Sequence, residues 1–176
     1  FTFHPEIGEK LNKKRLNEIF SVIEKNPNIK FIITSPNLDD GSDMIRSLIL
    51  KKIDYKNVSY VKSFGQDYFF SVLKIVDGVI GNSSSGLIEA PALRKFSINI
   101  GNRQNGRFVE KSVINCKNKV SDIQRSIRLA YSKNFKKKLS KFKQSKELET
   151  SKIIIKSIKR FNFKKHRYKE FNDINF

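Results

Sequence analysis

Residues 81–91, Gly-Asn-Ser-Ser-Ser-Gly-Leu-Ile-Glu-Ala-Pro, combine the residue types best suited to hold an anion. The segment follows an apolar run typical of a buried strand, and its glycines allow the backbone to approach a ligand closely. Three serine hydroxyls stand where a helix is expected to begin, and the free N–H groups at a helix N-terminus favour phosphate. The pattern predicts an anion site, although capping of the helix would need only one of these hydroxyls.

Glu89 is expected to lie one turn into that helix, which is predicted over residues 87–93. A carboxylate at this place accepts hydrogen bonds from paired hydroxyls, as acidic residues do for the ribose of a nucleotide. The alternative is a carboxylate that only complements the helix dipole. The segment lacks the Gly-Lys-Ser/Thr ending of a Walker A loop and the Gly-x-Ser-x-Gly pattern of a hydrolase nucleophile.

Three further loops carry polar residues that suit the same kind of ligand. Residues 101–107, Gly-Asn-Arg-Gln-Asn-Gly-Arg, hold two of the nine arginines, whose forked guanidinium groups suit phosphates and carboxylates. His4, before Pro5, ends the first predicted strand, where an imidazole donates to a phosphate or transfers a proton unless its role is structural. Residues 35–41 have turn chemistry, and Asn37 either contacts a base edge or only shapes the turn.

The elements that position these loops alternate between strands and helices. Apolar runs predict strands, and apolar residues spaced by three and four predict helices. The predicted strands cover residues 1–4, 29–34, 58–61, 78–81 and 97–100, and the predicted helices cover residues 10–25, 40–53, 66–75, 87–93 and 120–132. This alternation predicts an α/β fold with a parallel sheet and helices on both faces. Ligands of such sheets bind beyond the carboxyl ends of the strands, which is where the polar loops fall.

The composition excludes several classes of protein. With 176 residues and 38% hydrophobic residues the chain is long enough for a core, and no run reaches the ~18 apolar residues of a membrane span. The single cysteine, Cys116, forms no internal disulfide and is expected in the core, which favours a reducing, cytoplasmic compartment. Two histidines and one cysteine are too few for a His/Cys zinc site.

The net charge of +19 raises nucleic acid as a partner. The 36 basic residues are mostly lysines spread along the chain, and only nine are arginines, the preferred readers of phosphates and bases. We therefore expect no specific nucleic-acid partner and no membrane partner. The excess is strongest in the lysine-rich C-terminal quarter, for which we predict helices over residues 133–161 and a basic, mobile tail over residues 162–176. An RNA, an anionic membrane or an acidic protein is the alternative partner for that segment.

The chain begins at Phe1, and its only methionine is Met44. Its first residues lack the basic and apolar regions of a signal peptide. They have the pattern of a strand entered midway, which predicts a fragment of a longer protein.

Taken together, the loops resemble the C-terminal half of the hydrolysing UDP-N-acetylglucosamine 2-epimerases of sialic acid synthesis. The resemblance rests on His4-Pro5, on Ser-Pro-Asn-x-Asp-x-Gly at residues 35–41, on residues 81–91 and on Gly-x-Arg-Gln-x-Gly-Arg at residues 101–107. It covers residues 1–132 in the order and spacing of the family. It implies a GT-B architecture of two Rossmann-like lobes, in which this chain supplies the C-terminal, nucleotide-sugar-binding lobe of a homo-oligomeric protein.

The resemblance also implies a reaction and the residues that perform it. UDP leaves by elimination, an unsaturated sugar forms, and water adds to release N-acetylmannosamine, without a metal or another cofactor. His4 is implied as a catalytic residue near the phosphates. The UDP-binding residues implied by matching positions are Asn37 and Phe64 at the uridine, Ser83 and Ser84 at the diphosphate, Glu89 at the ribose, and Arg103. The base that removes the C2 proton belongs to the missing N-terminal lobe, so the chain alone is expected to be inactive.

Three alternatives stay open. A GT-B glycosyltransferase uses the same lobe to hold a nucleotide sugar, although the loop at residues 101–107 favours the epimerase. A 2-epimerase that acts on a UDP-diacetamido sugar fits as well, because the sugar contacts straddle both lobes. A nucleic-acid-binding module needs basic and aromatic residues clustered on one face, whereas the aromatic residues here fall mainly at core-type positions.

Overall fold

The computed structural model describes residues 1–6, 12–141 and 150–164. They belong to two compact units, Phe1–Lys143 and Gln144–Phe176. The described strands of the first unit are β1 (Phe31–Thr34), β2 (Val58–Val61), β3 (Gly78–Gly81), β4 (Phe96–Ile100) and β5 (Val113–Cys116). Its described helices are α1 (Lys13–Glu24), α2 (Ser42–Leu50), α3 (Gly65–Ile75), α4 (Glu89–Ala92), α5 (Val120–Tyr131) and α6 (Lys133–Ser140), and α7 (Thr150–Arg160) lies in the second unit.

The five strands pair in parallel, in two small sheets that the first two residues connect. β1 pairs with β2, and β4 lies between β3 and β5. Residues 1–2 run between β1 and β3, because the nitrogen of Phe1 donates to the carbonyl of Ile32 at 2.7 Å and the N–H of Thr2 donates to the carbonyl of Ile80 at 3.0 Å. The resulting order across the sheet is β2, β1, residues 1–2, β3, β4, β5.

This order is that of a doubly wound α/β fold. From residues 1–2 the chain moves outward to β1 and β2, then returns and moves outward in the opposite direction through β3, β4 and β5. Right-handed crossovers place α1 and α2 on one face of the sheet and α3 on the other. The parallel α/β fold predicted from the sequence is therefore confirmed. The direction of winding reverses between residues 1–2 and β3, and a ligand crevice is expected at the carboxyl ends of these two segments.

Helix α1 forms much of the core on one face of the sheet. The side chain of Asn12 caps it by accepting a hydrogen bond from the N–H of Lys14 at 2.9 Å. Its apolar residues recur every three or four positions, so that one stripe is buried: Leu16, Ile19, Phe20, Val22 and Ile23. α1 packs against α2 and α5, and α5 packs against β4 and β5. Full burial of one such side chain contributes about 1.5–3 kcal/mol, so this stripe is a main source of stability.

β1 and β4 differ from their predictions by one or two residues at one end, and two other strands differ more. β5 was not predicted, because only two consecutive apolar residues precede Asn115. Cys116 ends this strand and is half-buried against the core, where burial raises the pKa of its thiol to about 11. The strand predicted over residues 1–4 is reduced to residues 1–2, which hydrogen-bond to β1 and β3 and form one isolated bridge, between Thr2 and Gly81.

The segment after β3 also differs from its prediction. In place of a helix over residues 87–93, the chain forms a 3₁₀ turn at Ser84–Gly86 and then the single turn of α4. The helix cannot continue because Arg94 takes a positive φ of 56°. Glu89 consequently begins α4 and does not lie one turn into a longer helix.

The C-terminal helices are described separately in the two units. In the first unit, Phe135 and Leu139 of α6 pack against the core. In the second, the isoleucines of α7 are about half exposed, as in an amphipathic helix. Residues 165–176 of the predicted tail lie outside the described residues. Within the described part of the chain, no helix is long and apolar enough to cross a membrane.

We predict that Gly81→Ala destabilises the chain by more than about 3 kcal/mol. A Cβ on Gly81, whose φ is 137°, would stand 1.7 Å from the carbonyl oxygen of Thr2. Since that atom belongs to the backbone, relief requires the bridge between residues 1–2 and β3 to break. Gly65→Ala is the matched control, because the φ of 64° at this position would strain an alanine but its Cβ would meet no described atom within 4 Å. The control should cost only about 1–2 kcal/mol. Urea denaturation measures both, and equal losses would contradict the close approach.

Candidate functional site

The carboxyl ends of residues 1–2 and β3 bring His4 and Asn82 together. The fully buried Asn82 accepts a hydrogen bond at Oδ1 from the N–H of His4 at 2.7 Å, and its Nδ2 donates to the carbonyl of His4 at 2.9 Å. The N–H of Asn82 donates to the carbonyl of Thr2 at 3.1 Å. The side-chain amide thus binds the backbone of His4 as a neighbouring strand would. It fixes that backbone at the point between residues 1–2 and β3 where the direction of winding reverses, which we call the reversal point.

The imidazole of His4 is held in one tautomer. Its Nδ1 accepts a hydrogen bond from the N–H of Asn37 at 3.0 Å, so the proton of the neutral ring lies on Nε2. Burial lowers the pKa of His4 below its ordinary 6.5, and the nearby Arg103 guanidinium lowers it further. The side chain of Asn37 and the carboxylate of Asp39 act on this pKa in the opposite direction and are outweighed. At neutral pH His4 is therefore an uncharged ring with one N–H to donate.

The loop after β4 reaches the same place through the carbonyl of Asn82. That oxygen accepts hydrogen bonds from Nε2 of Gln104 at 2.7 Å and from Nη1 of Arg103 at 3.2 Å. Gln104 is buried, whereas Arg103 is half-buried and uses one of its five N–H groups in this bond. Arg107, the second arginine of the loop, is exposed. The predicted loop at residues 101–107 therefore joins the site through Arg103.

Ser83 and Ser84 enter the 3₁₀ turn, not the longer helix expected from the sequence. The hydroxyl of Ser83 accepts a hydrogen bond from the N–H of Ser85 at 3.4 Å, which makes a weak cap. Among the described residues, the N–H groups of Ser83 and Ser84 and the half-buried hydroxyl of Ser84 have no hydrogen-bond partner. α4 has only four residues and supplies no extended dipole. Two backbone donors and a hydroxyl, close together in the chain, are therefore available to an anion at this place.

Glu89 presents a carboxylate oxygen without a partner. Its Oε2 is buried and accepts no hydrogen bond from the described residues. Buried polar atoms are nearly always hydrogen-bonded, so an unsatisfied oxygen indicates a donor that the described residues do not provide. A ligand hydroxyl or a bound water has the right chemistry for this place.

Phe64 belongs to the candidate site through a cavity and not through a described hydrogen bond to the other predicted residues. It precedes α3 and lines a cavity of about 640 Å³ between α3 and the sheet. The wall of the cavity is mainly apolar, with Leu73 and Ile80 among its residues. Of the predicted site residues, the cavity includes only Phe64 and Ser83. Asn37 does not line this cavity, so the described contacts do not join the two residues that were expected to flank the uridine.

The structure brings together five of the seven predicted residues by hydrogen bonds or as chain neighbours at the reversal point: His4, Asn37, Ser83, Ser84 and Arg103. Sequence reasoning missed Asn82 and Gln104. An asparagine directly after a strand was the only local signal, and the partners of Asn82 lie 78 and 22 positions away along the chain. Within the described residues, no three His, Cys, Asp or Glu side chains are grouped so that they could hold a metal ion.

Comparison with known proteins identifies relatives of the chain. A family model described as UDP-N-acetylglucosamine 2-epimerase matches residues 1–159. Polysialic acid biosynthesis protein P7 of Escherichia coli is 33% identical over 179 residues, which cover 98% of this chain and 45% of the relative. GDP/UDP-N,N'-diacetylbacillosamine 2-epimerase (hydrolyzing) of Campylobacter jejuni is 32% identical over 139 residues, which cover 77% of this chain and 35% of the relative. UDP-N-acetylglucosamine 2-epimerase of Neisseria meningitidis is 32% identical over 131 residues, which cover 74% of this chain and 34% of the relative. The chain thus spans less than half the length of each of these proteins.

We predict that His4 titrates below pH 6.5 and that its protonation destabilises the fold. The unfolded chain takes up this proton near pH 6.5 and the folded chain only at lower pH, so the contribution to stability is complete above 6.5 and falls as the pH decreases. NMR of the chain with ¹⁵N-labelled histidine follows the titration, and His166→Gln removes the only other histidine and assigns the signals. His4→Asn keeps an acceptor for the N–H of Asn37 and should remove this pH dependence. A pKa of His4 at or above 6.5 would contradict the effect of burial.

Proposed function

Because the chain belongs to the UDP-N-acetylglucosamine 2-epimerase family, we propose that it is the UDP-binding lobe of a hydrolysing 2-epimerase. The complete enzyme would convert UDP-N-acetylglucosamine and water to UDP and N-acetylmannosamine, a precursor of sialic acid. This reaction needs two lobes, and the chain supplies one of them.

The observation that carries the proposal is a set of unsatisfied donors at the reversal point of a doubly wound sheet. The N–H groups of Ser83 and Ser84 have no acceptor among the described residues, and neutral His4 has an Nε2–H to donate. Arg103 adds positive charge beside them, close enough to lower the pKa of His4. Donors of this kind fit the oxygens of a diphosphate, and the crevice at a reversal point is where such sheets bind nucleotides.

We assign to this lobe the stabilisation of the leaving group. In the elimination step the bond between C1 and the UDP oxygen breaks, its electron pair stays on the departing phosphate, and C2 loses a proton as the C1=C2 double bond forms. Donors that are already oriented, and whose hydrogen bonds strengthen as this charge develops, lower the barrier. His4 and Arg103 fill this role, His4 as a neutral donor and Arg103 as a cation. Water then adds a hydroxyl at C1 and a proton at C2, on the face that gives the 2-epimer.

Two buried oxygens fit the nucleoside part of the ligand. Oε2 of Glu89 lacks a partner and suits a ribose hydroxyl. Oδ1 of Asn37 is another buried oxygen without a described partner, and it suits the N3–H of uracil. Phe64 offers an apolar surface for the base. The contacts to the sugar and the base that removes the C2 proton are assigned to a facing lobe, because proton abstraction needs a positioned group of its own.

A UDP-diacetamido sugar is the second candidate substrate. The relative from Campylobacter jejuni, named as an N,N'-diacetylbacillosamine 2-epimerase, is as similar in identity as the relative named for UDP-N-acetylglucosamine. Both substrates share the UDP group that this lobe would hold. Discrimination between them would fall to the sugar contacts.

Product analysis of the two-lobed protein tests the proposal. With UDP-N-acetylglucosamine in D₂O it should release UDP and free N-acetylmannosamine that carries one deuterium at C2, because the C2 proton is lost and replaced from solvent. NMR of the products identifies the outcome. Sugar transfer to an acceptor with retention of the C2 hydrogen would indicate a glycosyltransferase, and turnover of only the diacetamido sugar would assign the second substrate. Absence of both release and transfer would contradict an enzyme of this kind.

In the same two-lobed protein, Ser84→Ala and Glu89→Gln should have different kinetic effects. Ser84→Ala removes a donor to the leaving group, so it should lower kcat and raise KM. Glu89→Gln removes a charged acceptor from a part of the substrate that does not react, so it should mainly raise KM. The loss of such a bond costs about 1.5–3 kcal/mol, which corresponds to about ten- to a hundredfold in binding. Steady-state kinetics and melting curves measure both variants.

Ser85→Ala is the matched control for Ser84→Ala. Ser85 lies in the same turn, and its backbone N–H, not its hydroxyl, makes the bond to Ser83. This variant should keep kcat and KM. If Ser84→Ala lowers the melting temperature but leaves the kinetics normal, the hydroxyl only stabilises the turn and the assignment fails.

A further inference from the structure

We propose that Asn82 is a positioning residue that holds His4 and Arg103 in one fixed arrangement for an anionic ligand. That the anionic ligand is UDP rests on the proposed function. That Asn82 positions His4 and Arg103 rests only on the hydrogen bonds that Asn82 makes.

Each nitrogen and oxygen atom of Asn82 makes at least one hydrogen bond within the site. Its side chain makes two hydrogen bonds to the backbone of His4, its N–H binds Thr2, and its carbonyl accepts from Arg103 and Gln104. Residues far apart in the sequence are thereby joined to one buried residue. A change at Asn82 therefore disturbs both His4 and Arg103.

The side-chain amide of asparagine has both groups that this pairing requires. Its amide offers an acceptor for the N–H of His4 and a donor for the carbonyl of His4, at the spacing of a peptide group. Aspartate keeps the acceptor but sets a second oxygen against the His4 carbonyl. A buried donor or acceptor that loses its partner is costly, so the backbone of His4 would have to move.

The carbonyl side of Asn82 orients a further donor. The carbonyl of Asn82 and the N–H of Ser83 belong to one planar trans peptide, so they point in opposite directions. Arg103 and Gln104 hold the carbonyl, and they consequently fix the direction of the Ser83 N–H, which has no acceptor among the described residues. Asn82 thus sets the position of an imidazole, a guanidinium and a backbone donor at once.

The experiment uses the 176-residue chain with ¹⁵N-labelled histidine, and UDP as the probe. In the unchanged chain, the neutral His4 ring should carry its proton on Nε2. Asn82→Asp should mix the two tautomers of His4 and weaken UDP binding by about tenfold or more, because charge-assisted contacts lose their geometry. Arg103→Ala should weaken UDP binding by about tenfold in the unchanged chain but by less than about threefold when combined with Asn82→Asp.

Asn99→Ala is the matched control. Asn99 is also a buried asparagine, in β4, and its amide donates to the side chain of Asn115 at 2.8 Å and makes no described hydrogen bond to His4 or Arg103. It should lower the melting temperature without a change in the His4 tautomer or in UDP affinity. If Asn99→Ala changes both as strongly as Asn82→Asp does, the role of Asn82 is merely structural and the proposal is overturned.

Gln104→Met is the second variant, in case Asn82→Asp fails to fold. It removes one donor to the Asn82 carbonyl at nearly constant volume, and it should weaken UDP binding while the His4 tautomer stays the same. Unchanged tautomer and UDP affinity in a folded Asn82→Asp chain would overturn the positioning role, as would unchanged affinity in Gln104→Met. If the unchanged chain does not bind UDP but Asn82→Asp still mixes the tautomers, the proposed ligand is wrong and the positioning of His4 is supported.

Discussion

The fold depends on the hydrogen bonds that residues 1–2 make on both of their sides. They join β1 to β3, which otherwise belong to separate sheets, and they place the reversal of winding at the centre of the molecule. Because parallel strands end at one edge of a sheet, this single pairing brings the segments after residues 1–2, β1, β3 and β4 to one place. The close approach at Gly81, where a side chain would collide with Thr2, shows how little space the pairing leaves.

The site begins where this regular pairing stops. After Thr2 the sheet would continue with another strand residue, but the amide of Asn82 takes the place of a neighbouring backbone and binds His4 on both of its polar groups. Because the amide of Asn82 makes the hydrogen bonds that a neighbouring strand would make, the main chain can leave the sheet at His4 while the N–H and carbonyl of His4 stay hydrogen-bonded. The next two peptides carry N–H donors, those of Ser83 and Ser84, that no part of the described chain accepts, so the regular edge of the sheet ends in unpaired backbone donors.

Much of this arrangement could be predicted from the sequence, because it follows from local patterns and from topology. The strands at Val58–Val61 and Gly78–Gly81 have the predicted bounds, since their apolar runs are flanked by turn residues. The convergence of His4 with residues 81–86 and 101–107 follows from a parallel sheet alone. The 3₁₀ turn at Ser84–Gly86 could not be predicted, because the apolar spacing after it is equally that of a helix. The bonds of Asn82 could not be predicted either, because they join residues 78 positions apart and leave no periodic signal.

The charge state of His4 shows how such a site would respond to a diphosphate. Without a ligand, burial and the positive Arg103 both disfavour the charged imidazole, so the chain keeps one full cation and one neutral donor side by side. This avoids the repulsion and the desolvation that two adjacent cations would cost. A diphosphate placed beside them offsets the charge of Arg103 and favours a proton on His4, because an opposite charge nearby raises the pKa of an imidazole. On the proposed function, the same residue is therefore a neutral hydrogen-bond donor before binding and becomes more ready to hold a proton as negative charge gathers on the leaving phosphate. The hydrogen bond from Asn37 to Nδ1 limits this response, since Nε2 already carries a proton and a second proton would have to occupy Nδ1 and displace that hydrogen bond.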